Sequence, residues 1–144
     1  MTTPLIPDTR IKQLDVLPLV KYYLDELNLS SLFDKYMSNK NNADIAPAQV
    51  LCVMVMNTVG ASRPLYQVAD WLGSYLDGVT EPMVEAAKYN DDRLGRTLDG
   101  LFEADRPSLM TELTATAIDV HALQTERLHN DSTSLTFEGA YKNA

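Results

Sequence analysis

An aspartate in the polar, β-branched stretch Leu128-His129-Asn130-Asp131-Ser132-Thr133-Ser134-Leu135, and the arginines Arg63, Arg93 and Arg96, are the residues whose types and spacing could do chemistry. A carboxylate holds hard cations such as Mg2+, and guanidinium groups grip phosphate oxygens in pairs. Each also has a plainer use. Asp131 followed by Ser132, Thr133 and Ser134 is ordinary turn or capping chemistry. On a strand, His129 would share a side with Asp131, which makes a metal pair conceivable, but His121 and His129 fit no trusted metal-ligand spacing. Of the acids that follow Asp131, only Glu138 is close. A complete small metal hydrolase is therefore short of ligands.

The arginines face the same kind of choice. Arg93 and Arg96 stand three apart among Asp91, Asp92 and Asp99, so an exposed ion-pair face is favoured over a phosphate grip shared with Arg63. Tyr22, Tyr23, Tyr66 and Trp71 read as core and rim aromatics, because the acidic balance of the chain opposes base stacking against nucleic acid. Cys52 is the sole cysteine and lies in an apolar run, where a buried, reduced thiol is the natural state.

The frame around these residues is one ordinary globular domain. The chain has 144 residues, 45% hydrophobic and 22% charged, which is enough to bury a core without disulfide or metal staples. Met1-Thr2-Thr3-Pro4 offers neither a basic region nor an apolar signal core, and the longest apolar stretch, Ile45 to Val59, is too short for a membrane span and contains Gln49 and Asn57. A soluble, cytoplasmic protein without membrane or small-molecule partners is expected. Net charge is −8, and residues 61–144 carry most of it, with seven bases against fourteen acids. A phosphate-gripping domain should show a basic face. None is visible, so DNA binding by this chain alone is expected to be weak or absent.

Six helices are predicted to position these side chains. Leu17, Val20, Leu24 and Leu27 share one face of a first helix, with Asp15 as its candidate N-cap and Pro18 in its first turn. Ser30 or Ser31 can cap a short second helix through Met37. Pro47 opens a helix to Gly60 that is apolar nearly all round and belongs at the centre, with Gly60 as the residue just past its end. Pro64 starts a fourth, carrying Leu65, Val68, Ala69 and Leu72 beside Trp71. Asn90 caps a fifth, running to about Phe102, with Leu94, Leu98, Leu101 and Phe102 inward and Asp92 paired to Arg96. Pro107 opens a sixth to Val120, with Leu109, Leu113, Ala117 and Val120 on its buried stripe. From Arg127 to Phe137 the pattern changes to that of a strand.

In this order, the Pro47-Ala48-Gln49 helix, Arg63-Pro64-Leu65-Tyr66, the stretch from Asn90 to Phe102 and the segment from Leu128 to Ser134 resemble the N-terminal part of bacterial insertion-sequence transposases of the DDE type, over about residues 10–141. In such proteins a helical domain, often catalogued only as a domain of unknown function, precedes a ribonuclease-H-like core. The resemblance implies an all-α helical bundle of about five to six helices over residues 10–122. Residues 123–144 would follow as the truncated beginning of the catalytic domain, an orphan β-strand. Asp131 matches the first of three acids that hold two divalent metals, Mg2+ or Mn2+, in the full-length parent.

On that reading the chain is an N-terminal fragment, a decayed gene product or an incomplete copy, catalytically inactive as it stands and without a cofactor of its own. Its module would serve recognition of the element's end DNA or assembly as a homo-oligomer, with Arg63, Arg93 and Arg96 as the candidate DNA contacts. The alternative is a stand-alone acidic helical domain that binds a protein partner.

Overall fold

The structure, a computed structural model, describes residues 15–37, 44–74 and 85–126, and among these it contains helices and turns but no strand. The six α-helices are α1 (Leu17–Glu26), α2 (Leu29–Tyr36), α3 (Pro47–Gly60), α4 (Val68–Gly73), α5 (Asp91–Glu103) and α6 (Arg106–Val120). Short 3-10 turns at Leu65–Gln67 and Ala86–Lys88 lead into α4 and α5. The strand expected from Arg127 to Phe137, with Asp131 and His129 on it, lies outside the described residues.

The centre is α3. Its side chains are apolar around most of the circumference, and Ala48, Val50, Leu51, Val53, Met56 and Asn57 are buried. A helix of that composition is stable in water only if neighbours cover it, and α1, α2 and α5 all pack against it. Pro47 occupies the first turn, where its missing N–H costs nothing. Gly60 is the last residue of the helix rather than the one past its end. Its lack of a side chain serves packing: a Cβ there would sit 3.0 Å from Leu17 Cδ2, so α1 crosses close to the α3 backbone. The left-handed residue after α3 is Ser62, at φ 49°, and its N–H reaches back to Asn57 O.

Packing also overrides two local capping signals. Asp15 adopts a left-handed backbone at φ 43°, and α1 begins after Val16 without a side-chain cap. The second helix starts at Leu29, ahead of Ser30 and Ser31, after a left-handed Asn28. The reason is burial: Leu29 joins Leu32 and Phe33 in the core, whereas Ser30 and Ser31 face solvent. Later caps follow local chemistry. Asn90 Oδ1 accepts from Arg93 N at 3.0 Å and Asp105 Oδ1 from Ser108 N at 3.2 Å.

The outer helices bury narrower stripes than their sequences suggest. On α5, Leu94 and Thr97 are buried, but Leu98 is at the edge and Phe102 is 69% exposed, its ring covered by the Arg106 guanidinium at 4.5 Å. On α6 only Leu109 is fully buried; Leu113 and Ala117 are half-buried, and Val120 is exposed. A polar clasp supplements this thin apolar contact. Lys35 Nζ and Tyr36 OH of α2 both donate to Glu112 Oε2, at 2.5 and 2.7 Å.

Two measurements check this architecture. Val53→Asp places an unpaired charge at the centre of α3 and should cost several kcal/mol, roughly 3 or more, in urea unfolding. Gly95→Ala should instead gain about 0.5–1 kcal/mol, since a Cβ at Gly95 meets nothing within 4 Å and glycine is a poor helix former.

The clasp has a pH signature. The hydrogen bond from Lys35, then that from Tyr36, holds the Glu112 carboxyl below its usual range, so its stabilisation is present above the ordinary carboxylate value and fades as pH falls through the depressed one. Lys35 is raised by the same contact, so its share persists below the ordinary lysine value and is lost as pH rises through the raised one. The protection of α6 amides, corrected for the intrinsic exchange rate at each pH, should therefore fall on acidification through the carboxylate range in the wild type, and Glu112→Gln should flatten that response.

Candidate functional site

The positioning of Arg63 begins with a buried amide. Asn57, one turn before the end of α3, donates from Nδ2 to Arg63 O at 2.8 Å and accepts at Oδ1 from Arg63 N at 3.0 Å. Its backbone carbonyl meanwhile takes the N–H groups of Ala61 and Ser62, at 2.9 and 2.6 Å. The turn between α3 and α4 is thus pinned at both ends of the Arg63 peptide, and the Arg63 side chain projects from a fixed backbone into solvent. It lines an open cleft of about 550 Å3 with Asp15, Gln67, Asp70, Trp71 and Ser74.

Arg93 and Arg96 have different surroundings, although they share α5. Arg96 is exposed and pairs with Asp92 at 2.7 Å, in the acid-first spacing the sequence suggests. Arg93 is half-buried, with a sequestered Nε that has no hydrogen-bond partner. Its positive charge counteracts the burial that raises the Tyr89 phenol. The 3-10 turn after Arg63 packs on α5, so the two basic elements are neighbours in the fold. Their guanidiniums nevertheless stand in three environments: free in a mixed-charge cleft, half-buried, and neutralised. This is the ion-pair face for Arg96, and for Arg63 a mixed setting in which Asp15 and Asp70 offset its charge.

Among the described residues no group of three or more His, Cys, Asp or Glu side chains could hold a metal ion. Asp131, the candidate metal ligand, and His129 lie outside them. His121 stands at the end of α6 beside Tyr23 and Glu26. Cys52 is half-buried, and desolvation pushes its thiol up to about 11 with help from Asp25 and Asp34. Trp71 is core, while Tyr22, Tyr23 and Tyr66 are exposed rim aromatics. No helix among the described residues is long and apolar enough to cross a membrane.

Two residues of consequence carried little sequence signal. Asn57 stands out only as a polar residue inside an apolar helix three positions before Gly60, and its purpose becomes visible once Arg63 is seen against it. Tyr89 is 1% exposed, the largest fully buried side chain described, yet it lies between the loop and the Asn90 cap, where periodicity is silent.

A protein family described as a domain of unknown function (DUF4277) matches residues 9–115, from before α1 to the middle of α6. No curated protein and no solved structure matches the chain.

The thiol state gives the check on this region. At neutral pH, Cys52 should react with iodoacetamide about two orders of magnitude more slowly than a free cysteine, because so little thiolate is present, and should reach the free rate on unfolding. Fast alkylation of the folded chain would contradict the burial described.

Proposed function

The chain belongs to the DUF4277 family, and from that footing we propose that it is the helical module of an insertion-sequence transposase of the DDE type, serving recognition of the element's ends or assembly upon them. One observation carries the reading, the order and spacing of four motifs: Pro47-Ala48-Gln49, Arg63-Pro64-Leu65-Tyr66, Asn90 to Phe102, and Leu128 to Ser134. Its support in the fold is that three of them build adjoining parts of one unit. They are the opening of the central helix, the turn that Asn57 pins, and the capped helix packed on the turn that follows.

In the full-length transposase the resemblance implies three acids holding two Mg2+ or Mn2+ ions that promote in-line displacement at a phosphodiester. Asp131 matches the first. The donors in these 144 residues do not by themselves fit such a site, since along the chain near Asp131 there are only Glu126, Glu138 and His129. No step of strand cleavage is therefore assigned to this chain, and the work proposed for its residues is positional. Asn57 fixes the Arg63 backbone, and α5 holds Arg93 and Arg96 beside it, so that a phosphate contact would come from a rigid surface.

A second reading, an acidic domain that binds a protein partner, is favoured by the net charge of −8 and by the Asp92–Arg96 pair, which spends one of the candidate phosphate ligands internally.

Incubation with supercoiled plasmid and element-end duplexes separates the two. The chain should neither nick nor join DNA with Mg2+ or Mn2+, and metal-dependent nicking lost in Asp131→Ala would overturn this assignment of roles. Binding to end duplexes should be measurable at low salt, disappear at moderate salt, and be abolished by Arg93→Glu with Arg96→Glu but not by Lys142→Glu. No binding to any duplex at low salt would transfer the function to a protein partner.

A further inference from the structure

The C-terminal ends of α1 and α6 meet at a cluster that the transposase reading does not use. Tyr22 and Tyr23, both exposed, have ring centroids 5.4 Å apart at an interplanar angle of 79°. Tyr23 and the His121 ring stand 5.8 Å apart at 64°. Three aromatic rings thus meet in a row of edge-on contacts, and the two outer ones, Tyr22 and His121, both reach Glu26. That carboxylate accepts from Tyr22 OH at 3.2 Å and lies 4.0 Å from His121 Nε2, too far for a good hydrogen bond. Lys21, the lysine on the same helix, is committed to Asp25 at 2.8 Å.

Several features of this place favour a permanent cation beside His121, which pairs with Glu26 only when its ring is protonated. Glu26 ends α1 and His121 follows α6, so the negative ends of two helix dipoles converge there, and neither helix has a basic residue in its last turn. Tyrosine faces attract cations through the ring quadrupole. The chain as a whole is acidic, which draws positive partners. Among cations, the planar guanidinium fits best: it stacks on a ring while donating two N–H bonds to one carboxylate, which an ammonium cannot do.

We propose that Tyr22, Tyr23, His121 and Glu26 form a receptor for an arginine side chain presented by a protein partner. The site is independent of the transposase reading and is built from α1 and the end of α6 rather than from α5, which carries the candidate phosphate ligands Arg93 and Arg96.

The experiment is an NMR titration of the full chain, followed at the His121 and tyrosine ring signals, with the acetylated, amidated peptide Gly-Arg-Gly. The same peptide with citrulline, isosteric but uncharged, is the control. The arginine peptide should shift these signals and the citrulline peptide should not. Tyr23→Leu and Glu26→Gln, both at surface positions, should each weaken binding about two- to fivefold, as expected for exposed cation–π and charge contacts. Equal binding of citrulline, unchanged affinity in both variants, or no shift with the arginine peptide would overturn the proposal. Free L-arginine binding as tightly as the peptide would overturn the assignment to a protein partner.

Discussion

The helix Pro47–Gly60 sets the terms for everything around it. A 14-residue segment whose surface is apolar on nearly every side has little solvent face to offer, so α1, α2 and α5 are arranged around it as a sleeve rather than as a row. That requirement explains why α1 approaches so near that a Cβ at position 60 would crowd the Leu17 side chain. It also explains why α2 begins at the leucine that reaches the core instead of at the serines that would cap it best. Burial of several large side chains outweighs a cap worth about 1 kcal/mol, and the chain accepts left-handed backbone at Asp15 and Asn28 as the consequence.

The same hierarchy decides how much was legible beforehand. Where the local and global signals agree, the sequence is explicit: Pro47 and the apolar run define α3, Asn90 caps α5, and Asp92 meets Arg96. Where they disagree, the local signal loses, as at Asp15, Ser30 and Ser31. Periodicity identifies the buried face of a helix but not its width, because width is set by the partner. Leu98, Phe102 and Val120 continue the stripes of α5 and α6 beyond the neighbours that would cover them. Asn57 and Tyr89 were opaque for a further reason: their importance lies in what they touch, and neither contact is implied by spacing along the chain.

The candidate site divides along similar lines. The three arginines were visible by type, and the ion pair of Arg96 by spacing, but the half-buried state of Arg93 depends on how α5 seats against the rest of the bundle. Family membership gives these residues a shared context without a shared task. The reading as a transposase module therefore leans on motif order, while the aromatic and carboxylate cluster at the α1 and α6 ends leans on geometry alone. The two are built from different helices, α5 in one case and the ends of α1 and α6 in the other.

The manner in which α6 is attached has a mechanical corollary. It rests on α2 near its start, through Leu109 and the Glu112 clasp, and touches α1 beyond its end, through His121. The span between behaves like a beam on two bearings. Thr111, Thr114 and Thr116 each return a hydroxyl hydrogen bond to the carbonyl four residues back, so these side chains are satisfied within the helix and take no partner from the bundle. Elements with little buried apolar contact open at a small fraction of the global unfolding free energy. A load applied at the His121 end would therefore release α6 as an intact rod while leaving the sleeve around α3 closed, which makes it the compliant member of an otherwise stiff assembly.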